Sequence, residues 1–344
     1  MTFRQPDIAS QDQPTPTPAG NRKPLFLFGC PRSGTSLLSR MLDSHPNIAI
    51  PYESHFYDGL YPVVRRYGDL DDRRTRTLMT EILRSRFVKS WAPLPSLTEC
   101  LAAITRPGFD GVVEGLLRAW TLSKGKSRWG EKTPQHTLCW RTVLAGFPDL
   151  QVIHLIRDGR DVALSYRAAF FGPKHVYHLA QRWGQYLAAA EESQAVLGEG
   201  GFLPVRYEDL VVEPERELRR ICAFLGEEFA PAMLTSHRAP IAHIADQRNL
   251  ANLRRPVLTD NVGKWRREMT AREIRIFEAR AGAGLDRYGY ARALGEARLP
   301  VWEAISCRYL EHPPRRALAM LRNRQGYWLA LERLRLRLRL RLGR

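Results

Sequence analysis

The chain has 344 residues, 44% of them apolar and 26% charged, so it can bury one large core or two modest ones. Its net charge of +17 invites a nucleic-acid interpretation, but residues 301–344 alone hold eleven arginines against three glutamates, a net +8. No module of interleaved aromatic and basic residues accompanies that charge, and we exclude nucleic acid as a partner. No apolar run approaches the roughly 20 residues that a membrane-spanning helix needs.

Residues 1–22 are rich in proline and polar side chains and lack the basic-then-apolar layout of a signal peptide. They therefore predict a disordered leader before a folded domain over residues 23–298. The five cysteines are scattered without CxxC pairs, which indicates neither a disulfide framework nor a zinc site. From these features we expect a cytoplasmic protein.

Strands and helices alternate along the predicted domain. Continuous apolar runs at 25–28, 151–156 and 202–207 are typical of strands buried on both faces, and an amphipathic helix follows each of them. Residues 56–123 have a largely helical pattern. This alternation predicts an α/β fold with a parallel sheet that helices cover on both faces.

A glycine-rich loop follows the first predicted strand, within "LFLFGCPRSGTSLL" (25–38). Gly29 and Gly34 have the GxxxxGK[ST] spacing, but Thr35 occupies the position of the lysine that reaches a triphosphate. A glycine turn that enters a helix presents backbone N–H groups and the positive end of the helix dipole to an anion. The planar guanidinium of Arg32 can donate two parallel hydrogen bonds to an anion that presents two oxygens. The loop therefore predicts an anion site.

The second predicted strand ends in Arg157, where a P-loop kinase or hydrolase would place an aspartate for magnesium. An arginine at that position favours a second phosphate, so the expected ligand has two separate anionic groups and no metal. In open parallel sheets ligands bind beyond the carboxyl ends of the strands. We therefore expect the loop, "RDGRD" (157–161) and the residues after the third strand to share one rim.

With these residues in place, the sequence resembles the PAPS-dependent sulfotransferases. Their donor, 3′-phosphoadenosine 5′-phosphosulfate (PAPS), carries a 5′-phosphosulfate and a separate 3′-phosphate. The motifs that carry the resemblance span residues 25–265, in the order "PRSGTSLLSRMLDSHPNI", "WGEKTP", "LIRDGRDVALSY", "RYEDLV" and "GKW". They look most like the tyrosylprotein sulfotransferase branch and similar bacterial sulfotransferases. The resemblance implies a P-loop-like three-layer α/β/α fold with large helical insertions, and transfer of a sulfuryl group from PAPS to an acceptor hydroxyl.

The resemblance also implies roles for individual residues. The loop that binds the phosphosulfate is matched by Arg32, Ser33, Gly34, Thr35 and Ser36. Arg157 and Ser165 match the pair that holds the 3′-phosphate. Tyr207 and Lys264 match further nucleotide contacts, and Arg255 in "NLANLRRP" is expected as an extra phosphate ligand.

Three residues are expected around the transferring group. Glu53 falls where that branch has its catalytic base, and Lys132 in "GEKTP" matches the lysine near the sulfuryl group. Arg32 is the second cation there. Glu131 and His55 remain competing bases. In the implied mechanism an acceptor hydroxyl attacks sulfur in line, and no metal is required because the cations replace it.

Residues 299–344 lie outside the resemblance and are expected to form a basic helical extension with an Arg/Leu tail. The alternation in "RLRLRLRLRLGR" (333–344) would put the leucines on one face of a strand but scatter them around a helix. Two interpretations stay open. The tail either contacts acidic lipid or a partner, which would make the protein peripheral at the membrane, or it is a poorly ordered terminus without a role.

The acceptor stays open, since a glycan, a lipid, a peptide tyrosine and a small phenol all carry a hydroxyl. Two other classes of function also remain. A P-loop kinase or nucleotide hydrolase is disfavoured by Thr35 and Arg157. A non-catalytic anion- or membrane-binding protein would depend on the basic tail.

Overall fold

The structure is a computed structural model, and the residues it describes are 22–169, 171–238, 253, 255, 260–322 and 324–342. The predicted leader, residues 1–22, lies outside them except for Arg22, and the domain boundaries after residues 22 and 298 stay predictions. Within the described ranges no helix combines the length and the apolar character needed to span a bilayer.

A five-stranded sheet forms the centre of the fold. Its strands are β1 (Leu25–Gly29), β2 (Ile48–Ala49), β3 (Arg128–Glu131), β4 (Gln151–Ile156) and β5 (Phe202–Arg206). Their order across the sheet is β2-β3-β1-β4-β5, and all neighbours run parallel. The predicted parallel α/β sheet is thus confirmed, with β1 in the middle.

Two of these strands were missing from the sequence prediction, for different reasons. β2 has only two residues, and β3, with the sequence RWGE, has no continuous apolar run. The buried Arg128 of β3 has partners inside the protein, because its guanidinium donates to the Gln151 side chain at 2.5 Å and to the Leu225 carbonyl at 2.6 Å. The third predicted strand also ends one residue early, since Tyr207 begins a helix.

Helices account for most of the remaining described chain, and residues 56–123 are largely helical as predicted. Numbered α1 to α16 in chain order, the α-helices are Thr35–Asp43, Tyr61–Val64, Asp72–Arg84, Arg86–Lys89, Leu97–Ala102, Gly108–Ser123, Trp140–Gly146, Gly159–Ala168, Val176–Gly201, Tyr207–Val212, Pro214–Leu225, Trp265–Glu268, Ala271–Arg287, Val301–Ile305, His312–Arg322 and Arg324–Leu342. Shorter π-helical and 3₁₀ turns are Phe56–Leu60, Arg65–Tyr67, Pro134–Cys139, Pro231–Arg238 and Ser306–Glu311.

The sheet is covered on both faces because its strands alternate apolar side chains between them. Phe26 and Phe28 of β1 belong to one buried cluster with α3, α6 and α7, whereas Leu25 and Leu27 belong to another with α1 and α11. A third cluster joins α8, α9 and α13 around Trp183. This arrangement confirms the predicted three-layer α/β/α architecture.

The loop between β1 and α1 packs tightly against the end of β5. Gly34 has a φ of 96°, and a Cβ placed on it would lie 2.5 Å from Cδ2 of Tyr207. Arg32 has a φ of 75°, a left-handed conformation that is uncommon outside glycine. The backbone shape of the loop and its contact with Tyr207 therefore both depend on the second glycine of the motif.

We expect Gly34→Ala to lower the free energy of unfolding by about 2–4 kcal/mol, because a left-handed alanine and overpacking against Tyr207 both add strain. Gly125→Ala is the matched control, since Gly125 has a φ of 68° but no atom within 4 Å of an added Cβ. It should lose only about 1 kcal/mol. Denaturant unfolding measures both, and equal losses would contradict a packing role for Gly34.

A second prediction concerns how the free energy of unfolding changes at acidic pH. His154 on β4 is 1% exposed, and burial lowers its pKa to about 3. The unfolded chain takes up a proton at this residue below about pH 6.5 while the folded chain does not, so stability falls with acidification by about 1.4 kcal/mol per pH unit from this group. His154→Gln should reduce the slope of unfolding free energy between pH 6.5 and 4.5 by that amount. An unchanged slope would show that His154 does not carry this dependence.

Candidate functional site

The start of α1 has the features of an anion site. Gly34 is its N-cap residue, and neither a side-chain hydrogen bond nor an acidic residue satisfies the first turn. By contrast, the side chain of Asp71 caps α3, and Thr270 with Glu273 forms a capping box at the start of α13. The first N–H groups of α1 thus combine with the positive end of the helix dipole. The loop can bind an anion through its backbone alone.

Every strand of the sheet contributes a predicted site residue beyond its carboxyl end. Glu53 follows β2, Lys132 follows β3, the loop follows β1, Arg157 follows β4 and Tyr207 follows β5. The sequence predicted that the loop, residues 157–161 and the residues after the third predicted strand share a rim. The unpredicted strands β2 and β3 explain why Glu53 and Lys132 lie on the same rim.

Lys132 joins the loop to Glu53. Its Nζ donates to Glu53 Oε1 at 2.9 Å and to Ser36 Oγ at 3.3 Å, and it lies 4.9 Å from the centre of the Tyr52 ring. The Lys132 side chain is 1% exposed and that of Glu53 is 15% exposed. A buried ammonium requires such partners. The structure therefore brings Ser36, Lys132 and Glu53 into one connected group.

Arg157 and Arg32 form the other side of the cluster. Arg157 donates to the Arg32 carbonyl at 3.1 Å and to the Asn261 carbonyl at 2.6 Å, and it stacks 4.5 Å from the centre of the Tyr207 ring. Arg32 Nε donates to Ser165 Oγ at 2.9 Å. Among the described contacts, Ser165 is thus linked to Arg157 through Arg32, whereas the sequence predicted the two as a pair.

Two polar atoms of this cluster are buried without a hydrogen-bond partner among the described residues. They are Ser33 Oγ and Arg157 Nε. An unsatisfied buried polar atom costs about 1–3 kcal/mol. An oxyanion bound at the loop supplies acceptors for such donors, so the cluster fits an anionic ligand.

The segment that carries Lys264 is fixed to α8 by Asp161. The two carboxylate oxygens accept the backbone N–H groups of Gly263 at 2.7 Å and Trp265 at 2.9 Å, on either side of the half-buried Lys264. Sequence reasoning did not assign this role to Asp161. Arg255 is exposed, and in the part of the chain that the structure describes no hydrogen bond or ion pair joins it to the other predicted residues.

Glu131, one competing base, is buried and hydrogen-bonded through both carboxylate oxygens. Its Oε1 accepts the hydroxyls of Ser54 at 2.6 Å and Thr133 at 2.7 Å, and its Oε2 lies 2.7 Å from His136 Nδ1. The Glu131 side chain is 2% exposed. It fixes the segment around Ser54, beside Glu53, and is poorly placed to receive a proton from an acceptor.

His55, the other competing base, lies behind Glu53. Its Nδ1 is 3.1 Å from Asp58 Oδ2 and its Nε2 is 3.8 Å from Glu53 Oε2. The His55 side chain is 5% exposed. Of the three candidate bases, Glu53 is therefore the most accessible, and Lys132 connects it directly to the loop.

The sequence is similar to proteins of a known family. The family described as the sulfotransferase family matches residues 24–231. Nodulation protein NoeE of Sinorhizobium fredii is 27% identical over 304 residues, which cover 79% of this chain and 67% of that protein. A protein-tyrosine sulfotransferase of Drosophila melanogaster is 24% identical over 255 residues, which cover 70% of this chain and 46% of that protein. The chain thus spans about half to two thirds of the length of these relatives.

A solved structure shows the same architecture. The sulfotransferase domain of the Synechococcus PCC 7002 olefin synthase superposes with a TM-score of 0.53 at 22% identity, covering 78% of this chain and 98% of that domain. This likeness supports the P-loop-like α/β fold. The family match covers more than half of the chain and includes the loop, Lys132, Arg157 and Tyr207. This chain belongs to the sulfotransferase family.

Proposed function

We propose that the chain transfers a sulfuryl group from PAPS to an acceptor hydroxyl and releases 3′-phosphoadenosine 5′-phosphate. The observation that supports this most is the direct contact between two anion-binding positions, in which Arg157 donates to the backbone of Arg32 inside the loop. A ligand with two separate anionic groups fits that arrangement. Thr35 at the lysine position and Arg157 at the expected aspartate position remain the arguments against a kinase.

The donor fits the residues that are present. The start of α1, with Ser33, would hold the 5′-phosphosulfate, and Arg157 with Ser165 would hold the 3′-phosphate. The unpartnered Ser33 Oγ and Arg157 Nε would then gain acceptors. Tyr207 and Lys264 are proposed as further nucleotide contacts, and Arg255 stays a predicted phosphate ligand. When bound, PAPS supplies the sulfuryl group and a phosphate leaving group that needs no general acid.

Glu53 is proposed as the general base. Its side chain is more exposed than those of His55 and Glu131, at 15% against 5% and 2%. The carboxylate takes the proton of the acceptor hydroxyl while the new S–O bond forms and the bond from sulfur to the phosphate oxygen breaks. A well-placed base contributes about 10²–10⁴-fold to the rate.

Lys132 and Arg32 are proposed to neutralise the negative charge that grows on the sulfuryl and bridging oxygens. Lys132 is fixed between Ser36 and Glu53, so its ammonium needs no large rearrangement to serve this purpose. Losing one such group typically lowers turnover by about 10²–10³-fold. That these cations act without a metal stays a prediction.

The acceptor is proposed to approach from the helical segment 56–123, which begins three residues after Glu53. The name of the Drosophila relative makes a peptide tyrosine one candidate. Glycan, lipid and small-molecule hydroxyls remain equally compatible with the site. We also propose a cytoplasmic protein in peripheral contact with acidic membrane through its basic C-terminus.

Thermal unfolding with nucleotides tests the donor site without knowledge of the acceptor. We expect 3′-phosphoadenosine 5′-phosphate at 100 times its dissociation constant to stabilise the protein by about 2.7 kcal/mol, and 5′-AMP or ATP with magnesium to do much less. Arg157→Ala should abolish most of that shift because it removes the second anion contact. Arg219→Ala on the surface of α11 is the control and should keep it. A shift with ATP and magnesium alone would contradict the donor assignment.

The base assignment is tested by Glu53→Gln. We expect turnover of the acceptor that a hydroxyl panel identifies to fall by about 10²–10⁴-fold, because the amide cannot take the proton. Nucleotide affinity, measured by the same thermal shift, should be retained. Glu192→Gln, on an exposed glutamate of α9, is the control for loss of one negative charge. Wild-type turnover in Glu53→Gln would exclude Glu53 as the base.

A further inference from the structure

Helix α16 (Arg324–Leu342) places the leucines of the Arg/Leu repeat on two opposite faces. Each leucine is two residues from the next, which is about 200° around a helix, so successive leucines alternate between sides. Leu336 and Leu340 are each 2% exposed, whereas Leu334 and Leu338 are 53% and 52% exposed. As the sequence predicted, the leucines do not share one face of the helix, and they lie in two opposite rows.

One face attaches the helix to the protein. Leu336 and Leu340 belong to the largest buried cluster, and α16 packs against α2 and α3. Arg335 Nε lies 2.8 Å from a carboxylate oxygen of Glu81 on α3, and Arg339 Nε lies 4.0 Å from the other. The docked face is thus fixed by apolar contact and by charge.

The opposite face is an exposed apolar stripe. Tyr327, Leu331, Leu334 and Leu338 follow one another at intervals of four, three and four residues, which places them on one side of the helix. Each is 52–55% exposed. We call these four residues the outer stripe. No described segment of the chain covers it.

Arginines border the outer stripe on both sides. With 100° per residue, Arg337 and Arg341 lie along one edge, and Arg335 and Arg339 lie along the other. All four residues are exposed. A band of leucine and tyrosine between two rows of arginine is typical of a helix that lies in the plane of a membrane interface, because long basic side chains extend to the lipid phosphates.

The C-terminal extension that contains α16 also exposes many apolar side chains. Sixteen large apolar side chains are strongly exposed among the described residues, and eleven of them lie between 301 and 338. They include Trp302 at 71% and Tyr309 at 60% exposure, ahead of α16. Soluble proteins rarely expose so concentrated an apolar surface without a partner. The net +8 of residues 301–344 makes an anionic partner the complementary one.

We propose that α16 binds an anionic phospholipid surface, with the outer stripe inserted among the acyl chains and Arg337 and Arg341 at the phosphates. Arg333 Nε donates to the Gly59 carbonyl at 2.9 Å, and the guanidinium also contacts the Asp58 carbonyl. The membrane-facing helix is thereby tied to the segment that begins three residues after Glu53. The proposal specifies the face for the peripheral contact and does not depend on sulfuryl transfer.

Vesicle co-sedimentation of the full chain tests the proposal, with phosphatidylcholine vesicles that contain or lack phosphatidylserine. We expect binding only to the anionic vesicles, and weaker binding as salt rises. The triple variant Leu331→Glu/Leu334→Glu/Leu338→Glu should lose at least about tenfold in affinity. The triple variant Leu122→Glu/Val196→Glu/Val212→Glu makes the same charge change on exposed apolar residues elsewhere and should bind better than the stripe variant by a wide margin.

Two further measurements separate the possible explanations. Arg337→Gln/Arg341→Gln should weaken binding by about fivefold for each arginine while leaving the docked face intact. Circular dichroism and thermal unfolding establish that each variant is folded. Failure of the wild-type chain to bind anionic vesicles would overturn the proposal. Unchanged vesicle binding in the variant of Leu331, Leu334 and Leu338 would also overturn it. If that variant in addition turned a dimer into a monomer, the outer stripe would be a contact between two copies of the chain.

Discussion

Five strands that run in one direction and lie side by side must end at one edge, and the whole candidate site depends on this constraint. Residues as far apart in the chain as Glu53 and Tyr207 meet because each follows a strand of the same sheet. The order β2-β3-β1-β4-β5 also fixes their order along the edge. The candidate base and Lys132 lie on one side of the anion loop, and Arg157 and Tyr207 lie on the other. The residues proposed for transfer chemistry and those proposed for nucleotide recognition therefore lie on opposite sides of the loop that would serve both.

The group around Lys132 shows how stability and chemistry are linked at this edge. A buried ammonium is tolerated only with partners, and here they are the carboxylate of Glu53 and the hydroxyl of Ser36. The same contacts orient the charges that the proposed reaction uses. Behind them, Glu131 holds Ser54 and Thr133 in place, so the position of Glu53 is determined by a buried network as well as by its own bond to Lys132.

Much of this arrangement could be predicted from sequence, and the failures have physical reasons. β1, β4 and β5 are continuous apolar runs, and the loop has two glycines at a recognisable spacing. β3 escaped prediction because its buried Arg128 is satisfied by partners from distant parts of the chain, such as Leu225, which no local pattern reveals. The role of Asp161 was hidden in the same way, since its partners lie more than 100 residues later. The alternation in the tail gives one apolar face in a strand but two opposite ones in a helix, and only the packing of α16 on α2 and α3 decides which leucines are buried.

The two opposite rows of leucine on α16 affect how the C-terminal repeat tolerates changes in its length. Removing or adding one Arg-Leu dipeptide turns the following residues by about 200° and advances them by about 3 Å along the helix. Leucines of the outer face would then take the docked positions, and those of the docked face would point outward, with arginines again between them. The repeat is nearly identical to itself after such a slip. Its two-sided character is thus preserved across insertions and deletions of whole dipeptides, whereas a single-residue deletion would place arginines where Leu336 and Leu340 are buried.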